Sequence, residues 1–369
     1  MFERHLTCSS SAAISRCLLA LTMAIVGGCD DAGGSTGPAA IDAGPTDAGL
    51  ADAGLTDAGL TEAGLPDAGL TDAAPVDPGP RPTVDDCFAG ILGELAPDYA
   101  QFDPVIGYHC AGTDHQDVQG VERVVFLGDS VTTGTPPARL WEWYRALLTD
   151  RFHARYGEDL PIDNCSAFGA RTDDLLIGKR QIPECFPDDG DDRTTLVVFT
   201  VGGNDIAAWA QDHLSAAEAM QAASDAADLL DEALAWFREP GRFPNGVFLV
   251  FANPYEFTDG TGDLESCALA AAAELSGNWI EGAPAVLNFQ ERFMRAAVAH
   301  GFDLVFSLEH FCGHGFHHDD PASQCYRGPD TPVWFDFTCI HPNTVGHRAL
   351  ADLFWSTITD EPIADDTEE

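Results

Sequence analysis

The sequence predicts an α/β fold, a three-layer α/β/α sandwich with a parallel sheet of about five strands. Two short, continuous apolar runs, Thr195–Val201 and Gly246–Ala252, are typical of strands buried on both faces. Segments in which apolar residues recur at helical spacing lie between such runs. Strands that alternate with amphipathic helices form a parallel sheet with helices on both faces, so the pattern favours this class.

The elements follow in order along the chain. Val121–Leu127 is an apolar run that predicts the first strand, and Pro137–Tyr156 has the helical spacing of large apolar residues. Pro161–Cys165 is a weaker strand. The other predicted elements are strand Thr195–Val201, helix Ala207–Phe237, strand Gly246–Ala252, helix Ala285–His300, strand Asp303–Leu308 and helix Asn343–Thr357. Because ligands of such sheets bind where strands end and helices begin, polar motifs at those points are the candidate site.

The charge of the chain excludes some classes of function. Lys and Arg number 18 against 60 Asp and Glu in 369 residues, which gives a formal net charge of −42. A nucleic-acid-binding protein needs a basic face to neutralise phosphates, and binding to an anionic lipid surface by charge alone is disfavoured for the same reason. No apolar run reaches the roughly 18 residues of a membrane-spanning helix. We expect a monomer that binds no nucleic acid.

The N-terminal segment, residues 1–28, predicts a signal peptide. Cys17–Val26 is a short apolar run with Arg4 and Arg16 before it, and Cys29 follows two glycines. This end resembles a bacterial lipobox, which implies that Cys29 is lipidated and that residues 1–28 are removed. The alternative is an ordinary signal peptide cut near the same place. We expect an exported lipoprotein of the bacterial cell envelope, on the periplasmic side or the cell surface, held to a membrane by its lipid anchor.

A repetitive segment, residues 30–84, separates this end from the rest of the chain. Residues 46–70 repeat the five-residue unit TDAGL with small variations. Leucine at every fifth position matches neither helix nor strand, so we predict a disordered linker that acts as a spacer. A repetitive ligand for a partner is the alternative. Residues 85–369 are then one domain by size.

The cysteines agree with export. Eight remain after those of the signal segment and Cys29 are set aside, and an even number in an exported domain suggests up to four disulfides. We predict the local pairs Cys165–Cys185 and Cys312–Cys325, since each closes a loop of irregular sequence. The full set is Cys87, Cys110, Cys165, Cys185, Cys267, Cys312, Cys325 and Cys339.

Three polar motifs lie where catalytic groups are expected. Ser130 ends the run Gly128-Asp129-Ser130 directly after the first strand, although an Asp-Ser pair alone could simply cap a helix. Asn204 follows two glycines after the strand Thr195–Val201, and its amide is a hydrogen-bond donor. His341 precedes the last helix, and histidine is the usual general base near neutral pH. A fourth candidate is Gly169, after the second strand, whose N–H is a possible donor.

Taken together, these motifs resemble the four sequence blocks of the SGNH (GDSL) hydrolase family. Ser130 matches the first block, Gly169 the second, Asn204 the third and His341 the last, over about residues 121–353. The resemblance implies the family's flavodoxin-like parallel sheet and a carboxylic ester hydrolase that needs no cofactor and no metal. It implies Ser130 as nucleophile, His341 as base, and an oxyanion hole formed by Ser130, Gly169 and Asn204.

One position departs from the family pattern. The family usually places an Asp three residues before the His, and here that residue is Thr338. The nearest preceding acid is Asp336, so either Asp336 reaches His341 across a bulge or a backbone carbonyl near Thr338 takes its place. We predict Asp336 as the third catalytic residue.

Two weaker patterns are compatible with metal sites, and for both we prefer the interpretation that no metal binds. A cluster of four histidines, His310, His314, His317 and His318, is more typical of a disulfide-closed surface loop over the site than of a metal site. The acidic run at residues 188–192 lacks the spacing of a calcium loop. His347 is expected on the surface of the last helix.

The sequence therefore predicts an esterase, lipase or carbohydrate O-acetylesterase whose substrate is a small-molecule, lipid or polysaccharide ester. An acyltransferase with the same residues is one alternative. A non-catalytic surface lipoprotein is the other, supported only by the displaced Asp.

Overall fold

A computed structural model describes residues 110–187 and 190–361. The predicted signal peptide, Cys29, the linker and the start of the predicted domain lie outside these residues, as does part of the acidic run. The described residues form a parallel sheet of five strands in the order β2-β1-β3-β4-β5. Helices cover both faces, so the predicted three-layer fold is confirmed.

The five strands are short and mostly buried. They are β1 (Arg123–Gly128), β2 (Ile162–Asn164), β3 (Thr195–Thr200), β4 (Val247–Ala252) and β5 (Asp303–Val305). The helices are α1 (Ser130–Thr133), α2 (Tyr144–Tyr156), α3 (Gln181–Cys185), α4 (Gly203–Gln211), α5 (Ala216–Phe237), α6 (Ala283–His300), α7 (Ser307–Phe311) and α8 (Thr344–Thr359).

Large aromatic side chains fill the space between the layers. On one face of the sheet Phe126 packs on Phe152 of α2, with ring centroids 6.3 Å apart. On the other face Phe251 packs on Phe293 of α6 at 6.1 Å and stacks on Phe199 of β3. Each of these rings is almost fully buried and contributes roughly 1.5–3 kcal/mol from burial alone. The core thus holds the sheet rigid beneath the loops at its carboxyl edge.

Three predicted boundaries are wrong for identifiable reasons. The helix predicted at 137–156 begins only at Tyr144, because the Trp143 ring packs against Gly134 and its Nε1–H points to carbonyls of the preceding turn. The helix predicted at 207–237 is two helices. Ser215 starts the second through a capping box with Glu218. The strand predicted to end at residue 308 ends at 305, because Ser307 opens α7.

Three disulfides pair six of the described cysteines. Cys165–Cys185 and Cys312–Cys325 confirm the two predicted pairs. A third, Cys267–Cys339, joins residues 72 positions apart and was not predicted. Cys110 is also disulfide-bonded. Disulfides are typical of exported proteins. Among the helices of the described residues, none combines the length and the apolar character that crossing a membrane requires.

Candidate active site

Ser130 lies at the first position of α1, immediately beyond the carboxyl end of β1. Asp129 caps the helix by accepting hydrogen bonds from Val131 N at 3.0 Å and Thr200 Oγ1 at 2.8 Å. Gly128 has φ +110°, and a Cβ there would lie 2.0 Å from the Thr200 carbonyl oxygen. Only glycine fits this close approach of β1 to β3, so the turn that presents Ser130 is set by the sequence.

Gln181 holds the same turn through two side-chain hydrogen bonds. Its Oε1 accepts from Gly128 N at 2.6 Å, and its Nε2 donates to Gly128 O at 2.8 Å. The side chain is buried, so it satisfies the Gly128 N–H and gives the Gly128 carbonyl a donor in addition to Ala167 N. Nothing in the sequence distinguished Gln181 from other polar residues of its loop.

The predicted nucleophile and base lie within hydrogen-bonding distance. Ser130 Oγ is 2.9 Å from His341 Nε2, although the two residues are 211 positions apart in the chain. Burial lowers the pKa of His341 to about 4, so its ring is neutral at neutral pH and can accept a proton. The pair has the geometry of an activated nucleophile.

The other ring nitrogen of His341 contacts a hydroxyl. Thr338 Oγ1 lies 2.8 Å from His341 Nδ1, and the same oxygen lies 2.5 Å from Asp336 Oδ1. Asp336 therefore meets His341 through the Thr338 side chain, an arrangement that differs from both sequence alternatives, a direct carboxylate contact and a backbone carbonyl. The contact between the Thr338 side chain and His341 was not predicted, although the position of Thr338 three residues before the histidine was the available signal.

The predicted oxyanion donors come from two neighbouring loops. Asn204 Nδ2 donates to Ala170 O at 2.9 Å, which leaves the second hydrogen of this amide for a ligand. The loop that carries Gly169 is held to the nucleophile turn, since Ala167 N donates to Gly128 O at 2.9 Å. None of the hydrogen bonds among the described residues uses the Gly169 N–H.

Asp205 ties these two loops together. It accepts from Thr172 N and from Thr172 Oγ1, both at 3.1 Å, just beyond the Gly169 loop. Burial raises the pKa of Asp205 to about 7. Because Asp205 follows Asn204 directly, this contact fixes the relative positions of the two predicted side-chain and backbone donors.

A pocket of about 1100 Å³, counted out to its open mouth, adjoins Ser130, His341 and Asn204. Its walls come from the first turns of α4 and α6 and from the long segment 253–282. Most of the wall is apolar, formed by side chains that include Ile206, Ala207, Ala210, Phe257, Leu264, Leu275, Trp279, Val286 and Phe335. A concave apolar pocket with a few convergent polar groups is the usual form of a small-molecule site.

The other histidines singled out in the sequence do not line the pocket. His310 and His314 are buried, which corrects the expected surface loop, and His318 is half-buried. His347 is fully buried, which corrects the expected surface position. Its ring stacks near Tyr144, and burial lowers its pKa to about 3. His314 stacks on Trp334 with ring centroids 3.5 Å apart, and His310 and His317 contact a backbone carbonyl and a carboxylate. Within the described residues, no three His, Cys, Asp or Glu side chains come together as a metal site.

Comparison with known families identifies the family of the chain. A profile of the GDSL-like lipase/acylhydrolase family matches residues 124–354, more than half of the chain. The protein belongs to this family, and it is a carboxylic ester hydrolase. No curated protein sequence matches the chain.

Solved structures of similar fold include several esterases. An extracellular lipase from Streptomyces rimosus is 20% identical over 64% of this chain and 100% of that one, with a TM-score of 0.42. A phospholipase A1 from Streptomyces albidoflavus is 18% identical over 64% and 99% of the two chains, with a TM-score of 0.42. An esterase from Pseudoalteromonas sp. is 14% identical over 65% and 97%, with a TM-score of 0.40.

Proposed function

We propose that the protein hydrolyses esters of aliphatic carboxylic acids, with Ser130 as nucleophile and His341 as general base. The observation that carries this proposal is the 2.9 Å contact between Ser130 Oγ and His341 Nε2 at the edge of an apolar pocket. A buried neutral imidazole is a base, and the serine hydroxyl is its nearest proton donor.

The reaction follows in balanced steps. Ser130 Oγ bonds to the ester carbonyl carbon as its proton passes to His341 Nε2, which forms a tetrahedral oxyanion. The carbon–oxygen bond to the alcohol then breaks, and His341 returns the proton to that alcohol. Water attacks the acyl-enzyme by the same route, releasing the acid and restoring Ser130.

The oxyanion is held by three donors in this proposal, the N–H groups of Ser130 and Gly169 and the free hydrogen of Asn204 Nδ2. One such donor is worth about 3 kcal/mol of transition-state stabilisation when it is fixed in place before the reaction. Support for fixed donors comes from the hydrogen bonds that tie Asn204 to Ala170 and Asp205 to Thr172.

The pocket beside Ser130 favours an acyl chain over an acetyl group. An acetyl group would leave most of the apolar wall around Leu264, Leu275 and Trp279 in contact with water. Each buried methylene of a longer chain gains about 0.8 kcal/mol, or roughly fourfold in kcat/KM if the gain is realised in the transition state. We therefore assign the pocket to the acyl part of the substrate and the open side of Ser130 to the alcohol.

The proposed location is the bacterial cell envelope, with a lipid on Cys29 and residues 30–84 as spacer. The support is the sequence before residue 85 and the disulfides of the domain. Mass spectrometry of the protein from a bacterial host tests this point, because a diacylated N-terminal Cys29 has a distinct mass and a protein that starts elsewhere does not.

The catalytic proposal is tested with p-nitrophenyl esters from acetate to palmitate. The full-length protein should hydrolyse them, with kcat/KM rising from acetate to a medium chain, and Ser130→Ala should abolish activity on all of them. Hydrolysis that survives in Ser130→Ala would reject the assigned nucleophile. A profile that is highest at acetate would reject the acyl pocket while leaving the nucleophile in place.

A further inference from the structure

The turn from Asp336 to His341 places a hydroxyl between a carboxylate and the ring of the proposed base. Thr338 N and Thr338 Oγ1 both donate to Asp336 Oδ1, at 2.7 and 2.5 Å. A threonine hydroxyl has one proton and two lone pairs, so a proton given to Asp336 leaves only a lone pair for His341. The nitrogen facing that lone pair, Nδ1 at 2.8 Å, must then carry a hydrogen.

We propose that Thr338 is a positioning residue that relays the charge of Asp336 to His341 and fixes the tautomer of the ring. With the hydrogen held on Nδ1, His341 Nε2 is the unprotonated nitrogen that faces Ser130 Oγ. This inference rests on the proposed roles of Ser130 and His341. It gives a role to Thr338, which stands where the family usually has an Asp.

The surrounding loop holds the relay in one geometry. Asp336 N donates to His341 O at 2.9 Å, and Phe335 and Pro342 form an isolated antiparallel bridge, so the turn closes on itself. Cys339, inside the turn, is bonded to Cys267. The closed backbone fixes the Thr338 oxygen between Asp336 and His341, and the hydroxyl proton goes to the carboxylate because this is the stronger acceptor of the two.

The Asp336 carboxyl lies in an environment that is unfavourable for a charge. Asp336 is buried, and burial raises the pKa of its carboxyl. Its Oδ2 has no hydrogen-bond partner among the described protein residues, while Oδ1 receives both Thr338 donors. A half-satisfied buried carboxylate destabilises a fold, and such groups are concentrated at functional sites. Because the carboxylate faces the Thr338 side chain, it can stabilise the positive imidazolium that His341 forms during the reaction.

The relay differs energetically from a direct carboxylate contact. Two hydrogen bonds separate Asp336 from the ring, so the attraction between the carboxylate and the imidazolium is weaker than at contact distance. Removing the direct carboxylate of a serine protease costs about 10⁴ in kcat. For a relayed carboxylate we expect a smaller loss of about 10- to 100-fold.

Five forms of the full-length protein test the relay on a p-nitrophenyl ester. Thr338→Val keeps the shape and removes the hydroxyl, and it should lower kcat by about 10- to 100-fold with KM within about twofold. Thr338→Ser keeps the hydroxyl and should stay within about threefold of the unmodified protein. Asp336→Asn should lose about as much kcat as Thr338→Val. The double variant Thr338→Val with Asp336→Asn should lose little more kcat than either single variant, because both changes break the same series of hydrogen bonds.

A fifth variant, Thr338→Asp in the Asp336→Asn background, puts a carboxylate beside Nδ1 without the hydroxyl. It should regain most of the lost kcat. This recovery distinguishes a positional role from a general need for threonine in the turn, and thermal melts of all five forms show which of them fold.

The pH profile supplies a readout that a purely structural role would not move. The titratable groups around His341 include His347 on α8 and Asp336 in its own turn. Asp129, Tyr255 and Glu256 line the same pocket. Only Asp336 changes in Asp336→Asn. Loss of its negative charge should shift the acid limb of kcat/KM to lower pH, since the imidazolium loses stabilisation.

Four outcomes would overturn the relay. They are full kcat in Thr338→Val, equal losses in Thr338→Val and Thr338→Ser, losses that multiply in the double variant, and an unshifted acid limb in Asp336→Asn. Activity that survives in Ser130→Ala instead rejects the proposed function itself. If Ser130→Ala abolishes activity while the Thr338 and Asp336 variants keep full activity, the relay alone is rejected.

Discussion

Cys267 and Cys339 form a disulfide that joins the wall of the apolar pocket to the loop of the proposed base. Cys267 lies in the segment 253–282, whose side chains Leu264, Leu275 and Trp279 line the pocket. Cys339 lies two residues before His341 and is fully buried. The bond therefore links the surface that would hold an acyl chain to the residue that would take the proton.

Replacing both partners, Cys267→Ala with Cys339→Ala, should lower stability and activity together. A loop of 72 residues is closed by this bond, and its loss costs about 4 kcal/mol in the chain-entropy account. We expect a lower Tm and a larger fall of kcat/KM on octanoate than on acetate, measured below the new Tm, because the pocket wall is no longer held. The matched control is Cys312→Ala with Cys325→Ala, which opens a loop of 13 residues away from the pocket lining. An equal effect of the two double variants on octanoate would contradict this coupling.

Replacing Asn204 with Ala should lower kcat by about 10²–10³ with little change in KM, because the amide is expected to bind the oxyanion and not the ground-state ester. Steady-state kinetics on p-nitrophenyl butyrate measure this. Gln221→Ala, which removes an exposed amide side chain on α5, is the control and should keep full kcat. A large rise in KM with unchanged kcat in Asn204→Ala would assign this residue to substrate binding instead.

Activity should persist well into the acid range. Burial lowers the pKa of His341 to about 4, so the ring stays unprotonated and able to act as a base at pH values where an exposed histidine is already charged. We expect kcat/KM to be nearly flat from pH 7 to about 5 and to fall as pH drops through about 4. An acid limb centred near 6.5 would show that the His341 ring is solvated in the working enzyme.

Filling the pocket should change the acyl preference without removing the chemistry. Ala207 lines the pocket on α4, and Ala207→Phe should lower kcat/KM on octanoate by at least about tenfold while leaving acetate within about threefold. Ala217→Phe adds the same ring on the exposed start of α5 and should change neither substrate. Equal losses on both esters in Ala207→Phe would indicate distortion of α4 and Asn204 instead of a filled acyl site.

The sequence was sufficient for the sheet and for the meeting of Ser130 and His341. Apolar runs define strands, and the carboxyl ends of parallel strands meet at one edge, so Ser130 and Asn204, which follow two of these strands, were expected to lie close together. His341 follows no strand, and its place beside Ser130 was expected from the resemblance to the last sequence block of the family. The pairs Cys165–Cys185 and Cys312–Cys325 could also be predicted, because each closes a short loop of irregular sequence.

Contacts that depend on loop geometry could not be predicted from the sequence. The Thr338 contact with His341 depends on the path of a closed turn, which no periodicity encodes. Cys267–Cys339 joins two long loops, and spacing gives no preference for it over the other pairings. His347 was expected on the surface because a histidine on a terminal helix usually is exposed, whereas here the helix packs that face against Tyr144.

Asp205 should destabilise the fold progressively as pH rises from about 4 to about 7, whereas the buried His341 and His347, whose pKa values are lowered, act in the opposite direction. Burial raises the pKa of Asp205 to about 7 from an ordinary value of 3.8, so the folded state favours its protonated form. A group of this kind contributes stability that is fully present below the unfolded pKa and is lost as pH rises through the folded pKa. Glu309, whose pKa burial also raises to about 7, has the same sign.

Asp205→Asn removes the titration and should flatten the change of Tm between pH 6 and pH 8 by a few degrees, although Glu309 still contributes. Asp212→Asn, on the exposed end of α4, is the control and should leave the curve parallel to that of the unmodified protein. The measurement is a series of thermal melts in buffers of equal ionic strength. A curve for Asp205→Asn that stays parallel to the unmodified one would show that Asp205 is ionised in the folded state across this range, with its charge balanced by the Thr172 donors alone.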